Sequence, residues 1–174
     1  TFYTNRMTPL HFACKYGNYE IVELLLKNKS IQINSLTYNH TTPFYYACKN
    51  GFINIVKLLI QHKVDTSVVN IKNSVTPILI AGIHNHFDIV RLFISPKNAN
   101  DSTKIGENLL LLSSKSGDVE MTKLLLSYKA NIFSKNQKGL NALHYSCKGN
   151  DSIEMVSFLI NKGCNYKDET RNIS

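Results

Sequence analysis

Five short apolar blocks punctuate the chain: Ile21-Val22-Glu23-Leu24-Leu25-Leu26, Ile55-Val56-Lys57-Leu58-Leu59-Ile60, Ile89-Val90-Arg91-Leu92-Phe93-Ile94, Met121-Thr122-Lys123-Leu124-Leu125-Leu126 and Met155-Val156-Ser157-Phe158-Leu159-Ile160. Apart from Thr122 at i+1 of the fourth, each sets apolar residues at i, i+1, i+3 and i+4 around a polar one, which at helical period makes a broad apolar stripe. Ahead of every block runs a second recurring phrase. It reads Thr8-Pro9-Leu10-His11-Phe12-Ala13-Cys14-Lys15, then Thr42-Pro43-Phe44-Tyr45-Tyr46-Ala47-Cys48-Lys49, then Thr76-Pro77-Ile78-Leu79-Ile80-Ala81-Gly82-Ile83. Weaker echoes open at Asn108 and Asn141, so successive starts lie 34, 34, 32 and 33 residues apart. One two-helix unit of about 33 residues is therefore repeated five times.

Local chemistry sets the ends of each helix. Thr at the head of a phrase can cap free backbone N–H groups, and Pro after it costs nothing in the first turn. Gly17, Gly51 and Gly117 fall between the two helices, where positive φ is wanted, and Asn85 takes that place in the third repeat. Glu20, Asp88, Glu120 and Glu154 precede or open the second stripe, where an acid complements the helix dipole. The pattern predicts helix, tight turn, helix, then an extended connection rich in Asn, Ser and Lys.

The T-P-L-H-x-A phrase at this period resembles the ankyrin-repeat family, over roughly residues 3 to 166. The resemblance implies an all-α solenoid of stacked helix-turn-helix units joined by β-hairpin-like fingers. The repeats would span about 3–36, 37–70, 71–102, 103–135 and 136–168 of a single domain covering 1–174. It also implies that the phrase His joins a hydrogen-bond network at the helix start. The fourth repeat departs, having Asn108 and four leucines in place of Thr-Pro and His. Pro96 is expected to cut the third repeat's second helix short, leaving Ser95 to Glu107 the least regular stretch. The fifth repeat carries one extra residue around Gly149-Asn150-Asp151-Ser152. Neither end reads as a polar cap, and Lys167 to Arg171 read as the start of another connection, so the chain is expected to be part of a longer array.

Lys and Arg outnumber Asp and Glu 20 to 12, giving a formal charge of +8, which favours acidic partners. No run approaches the ~18 apolar residues of a membrane span, and no secretory h-region opens the chain. Cys14, Cys48 and Cys147 share one place in their repeats. Equivalent helices pack ~8–10 Å apart, too far for a disulfide, so these are expected to be buried free thiols. Free core thiols point to an intracellular, cytoplasmic setting. His11 and His144 lie four repeats apart and share no ion; His84 and His86 have only Asp88 near them in sequence. No phosphate loop, nucleophile elbow, metalloprotease or dinucleotide motif occurs. Neither catalysis nor a cofactor is expected.

One row suggests a working surface. Lys15, Lys49, Lys115 and Lys148 follow the small pair in four first helices, with Ile83 breaking the series. Tyr16, Asn50, His84 and Ser116 come next. The family resemblance implies that these positions line a concave groove with the finger tips. The tips hold Asn5, Arg6, Tyr38, Asn39, Lys72, Asn73, Lys104, Ile105, Gln137 and Lys138. Tyr45, Tyr46 and Tyr145 are read as packing. The expected function is a protein-interaction scaffold that grips an acidic segment of a partner, with no oligomer required. A regulatory or docking arm of a larger enzyme or channel would use the same groove. Nucleic acid is the weaker reading, because stacking aromatics should interleave the lysines and only Tyr16 does so.

Overall fold

The computed structural model describes residues 5–149 and 151–170. Ten helices occur among them, in five pairs: α1 (Pro9–Tyr16) with α2 (Tyr19–Leu26), α3 (Pro43–Lys49) with α4 (Ile53–Gln61), α5 (Pro77–Ile83) with α6 (Phe87–Phe93), α7 (Leu109–Ser116) with α8 (Val119–Ser127), and α9 (Ala142–Lys148) with α10 (Ile153–Asn161). They form two compact halves that divide between Leu92 and Phe93. In the N-terminal half α1 packs on α3 and α3 on α5, with α2 against α4; in the C-terminal half α7 packs on α9 and α8 on α10.

Every first helix starts as its sequence dictates. Thr8, Thr42, Thr76, Asn108 and Asn141 each accept from the backbone N–H three residues on. Asn108 thus keeps the cap that the fourth repeat's lost Thr would have supplied, and Leu109 to Leu112 fill the core behind it. His11 and His144 close capping boxes by accepting from the N–H groups of Thr8 and Asn141. His11 also reaches the next repeat, where its Nε2 lies 3.0 Å from the Thr41 carbonyl. The implied histidine network is therefore present at both places.

The inter-helix turn needs a left-handed residue. Gly51 has φ 77°, and a Cβ there would sit 2.5 Å from the His86 ring; Asn85 supplies φ 62° in the third repeat. Helix α6 stops at Phe93, three residues before Pro96, and turns follow to Asn100. In the fifth repeat the second helix's N-cap, Ser152, comes four residues after Lys148; in the fourth, Asp118 comes three after Lys115. The extra residue is there, although Asn150 itself lies outside the described residues, as do Arg171 and the first residues of the expected first repeat.

Among the described residues the fingers are hairpin-like turns without strand ladders. Thr37 donates to the Thr41 carbonyl at 3.1 Å, Asn70 to Val75 at 3.0 Å, Thr103 to Glu107 at 2.8 Å and Asn136 to Leu140 at 3.0 Å. Within each half a second bond joins neighbouring tips, Ile71 N–H to the Asn39 carbonyl at 3.2 Å and Gln137 N–H to Ile105 at 3.0 Å.

One expectation about the core fails. Cys14 and Cys48 are buried free thiols, but Cys147, at the same place in its repeat, is exposed. Helices α1 and α3, which carry Cys14 and Cys48, each have the first helix of the following repeat packed on them. Helix α9 packs on α7 and α10 with no further first helix beyond it among the described residues. Burial pushes Cys14 up to about 12, and burial together with Cys14 pushes Cys48 well above an ordinary thiol.

Candidate partner-binding surface

Helix α1 buries Leu10, His11, Ala13 and Cys14. That leaves Phe12 and Tyr16, one turn apart, on the opposite face at 46% and 62% exposure. Their rings stack with centroids 6.3 Å apart and planes 18° from parallel. The half-buried Lys15 carries its ammonium to 5.4 Å from the Tyr16 centroid. On α3, Tyr46 is half-buried and meets His11 and Tyr45 edge-on, each at 6.2 Å. Lys49, Asn50 and, past the end of α5, His84 are exposed.

Two of these polar candidates are already tied into the fold. The Asn50 amide donates to the Lys15 carbonyl at 2.7 Å, which pins the C-terminal ends of α1 and α3 together. Asn73 accepts from the Val75 N–H at 3.2 Å and hydrogen-bonds the Tyr45 hydroxyl, opposing the rise in pKa that burial gives that tyrosine. Tyr38, Asn39 and Lys72 are exposed at the tips. The Arg6 guanidinium lies 5.7 Å from the Tyr38 ring centre.

The charges sort by layer. Residues 5–16, 37–50 and 70–84, which make the tips and first helices of the N-terminal half, contain no Asp or Glu but carry Arg6, Lys15, Lys49 and Lys72. The carboxylates of that half's described residues are Glu20, Glu23, Asp65 and Asp88. Glu20 and Glu23 lie on α2, Asp88 on α6, and Asp65 in the loop after α4. The surplus of positive charge shows at His84, held below the ordinary histidine value by burial first, then by Lys49 and His86. The His84 and His86 rings stack at 6.3 Å. No group of three or more His, Cys, Asp or Glu among the described residues is placed to hold a metal ion.

The C-terminal half repeats the layout. Lys104, Lys115, Lys138 and Lys148 are exposed. Its one carboxylate within residues 103–116 and 136–148 is Glu107, which accepts the Tyr145 hydroxyl at 2.7 Å. Burial, then that carboxylate, raises the tyrosine's pKa. Gln137 is engaged internally, its amide donating to the Lys104 carbonyl at 2.7 Å, and the Ser116 hydroxyl bonds back to Ser113 at 2.9 Å. Gly149 stands at the place of Asn50, packed so closely that a Cβ would fall 1.7 Å from the Lys115 carbonyl oxygen.

Sequence reasoning passed over Phe12 as a surface residue. Its i, i+4 spacing from Tyr16, with buried residues on either side, was the available signal.

A family model for ankyrin repeats in three copies matches three overlapping stretches, residues 2–73, 63–136 and 78–170. It counts three copies where the described residues form five helix pairs. A search of curated proteins found no match to the chain. No helix among the described residues is long and apolar enough to cross a membrane. Ankyrin repeats are in general protein–protein interaction modules and typically non-catalytic binding scaffolds. With its matched stretches reaching from residue 2 to residue 170 and its capped helix pairs in sequence, the chain belongs to the ankyrin-repeat family.

Proposed function

We propose that the chain holds a partner protein by an acidic stretch, gripped by the cations at the first-helix ends and finger tips. The observation that carries this reading is the layer of first helices and tips in the N-terminal half, residues 5–16, 37–50 and 70–84, which contains no Asp or Glu and carries Arg6, Lys15, Lys49 and Lys72. Such a layer steers an anionic segment into contact and weakens as salt screens it. Cys14 and Cys48, unpaired in the core, suit a reducing intracellular compartment.

The test is binding of a fluorescein-labelled octaglutamate peptide, followed by anisotropy and stopped flow. Reversing Lys15 and Lys49 to Glu should lower the association rate by about tenfold or more and flatten its salt dependence. Reversing Lys115 and Lys148 tests the C-terminal half in the same way. Absence of binding by the unaltered chain, or unchanged rates in both double variants, would sink the reading.

A further inference from the structure

Asn50 and Gly51 form the one Asn-Gly pair in the chain. A residue without Cβ leaves its nitrogen free to approach the side-chain amide before it, so an unrestrained Asn-Gly pair modifies itself. The Gly51 nitrogen attacks the Asn50 Cγ; a C–N bond forms and the Cγ–Nδ2 bond breaks. The Gly51 amide proton departs with the side-chain nitrogen as ammonia, leaving a succinimide ring. Water then adds to either ring carbonyl and opens the ring, giving aspartate or its β-linked isomer.

The fold holds this pair away from that reaction. Asn50 ends α3 with φ −98° and ψ 3°, which turns the Gly51 nitrogen toward the Asn50 backbone nitrogen and away from its Cβ. Bonds from the Asn50 N–H to Tyr46 and from the Phe52 N–H to Ala47, both 3.1 Å, fix the backbone on either side. The nitrogen that must leave is the one held 2.7 Å from the Lys15 carbonyl oxygen of the first repeat. From the third repeat the His86 ring lies against Gly51, where a Cβ would be. Asn50 is exposed to water, so the restraint is geometry and not burial.

We propose that Asn50–Gly51 is a self-modification site latched by the α1–α3 junction, which deamidates when that junction opens and then cannot close as before. An aspartate in place of Asn50 has no N–H to donate to the Lys15 carbonyl and sets an anionic oxygen against it. The β-linked isomer also adds a methylene to the backbone where α3 ends. Either product is the first carboxylate within residues 5–16, 37–50 and 70–84, one residue from Lys49. Its effect on partner binding rests on the acidic-segment reading above, whereas the latch does not.

The test incubates the full chain at neutral pH and follows Asn50 by mass spectrometry after digestion, with the end-blocked peptide Ala47–Ile53 as the unrestrained reference. Asn50 in the folded chain should react at least about tenfold more slowly than in the peptide, because reaction tracks the open fraction. In urea that unfolds the chain the two rates should meet. His11→Leu removes the 3.0 Å contact with the Thr41 carbonyl across the same junction and should raise the folded rate about fivefold or more. Where that variant does not fold, the unaltered chain in urea below its unfolding transition reads the same coupling. Equal rates in folded chain and peptide overturn the latch. A folded rate that neither His11→Leu nor such urea raises overturns the junction as its gate. Asn50→Asp, which makes the product directly, should lower the octaglutamate association rate about threefold or more beyond Asn50→Ala. Equal rates in those two variants overturn the effect on binding. No binding by the unaltered chain removes the acidic reading, and the mass measurement still decides the latch.

Discussion

Replacing His11 by Leu should loosen the junction between the first two repeats, and the loss can be worked from its bonds. The imidazole Nδ1 accepts from the Thr8 N–H at 3.1 Å, which assigns the ring proton to Nε2 and lets it donate to the Thr41 carbonyl at 3.0 Å. Leu fills the volume but leaves the Thr8 N–H without that partner. The Thr41 carbonyl keeps the bond from the Thr37 N–H at 3.1 Å. One orphaned donor plus one weakened acceptor costs about 2 kcal/mol. For a chain of this size that lowers Tm by about 4–8 °C. The ring carries a pH signature as well. Burial, the largest cause, lowers the His11 pKa below its model-compound value of 6.5, so the unfolded chain takes up the proton first. The stabilisation is complete above that value and is lost as pH falls through it toward the folded value. Urea unfolding followed by circular dichroism between pH 5 and 7.5 reads both effects, with His11→Gln as the variant that cannot titrate. A Leu variant as stable as the parent at pH 7.5, or parent and Gln variant falling in parallel with pH, would refute the reasoning.

The two glycines near the C-terminal helix pair should separate steric clash from backbone strain. Gly149→Ala drives a Cβ into the Lys115 carbonyl and is expected to cost about 2–3 kcal/mol. Gly163→Ala meets nothing within 4 Å but holds φ 87°, so it should cost about 1–2 kcal/mol; thermal melts showing the reverse order would contradict the packing described. Of the four thiols, Cys147 alone is exposed, so Ellman's reagent should titrate it at once and reach Cys14, Cys48 and Cys164 only with unfolding. Two fast thiols, or none, would place α9 differently.

Most of the helical frame was readable in the residues, because capping and turn formation demand particular side chains at fixed offsets. Thr8, Thr42 and Thr76 announced their helices, Pro96 its stop, and Asn85 a left-handed turn without glycine. Burial was harder. Cys147 sits in the same phrase as Cys14 and Cys48, yet its exposure depends on whether another first helix lies across it, which no local pattern encodes. Polar candidates hid their commitments in the same way. Asn50 and Gln137 look like surface contacts in the sequence, and only the neighbouring repeat's carbonyl reveals each as a clamp. Phe12 and Tyr145 share a place and a chemical class, and one is bare while the other is buried on Glu107. The sorting of charge was present in the sequence throughout, but it becomes a surface only once residues 5–16, 37–50 and 70–84 are known to lie side by side.

The central claim, that the acid-free layer of first helices and tips is where a partner is held, is tested most directly by amide chemical shifts during titration with the octaglutamate peptide. The account predicts perturbations concentrated at residues 5–16, 37–50 and 70–84 and strongest beside Lys15 and Lys49, with α2 and α4 unmoved. Shifts confined to α2 and α4, or spread evenly over every exposed lysine of the chain, would contradict it.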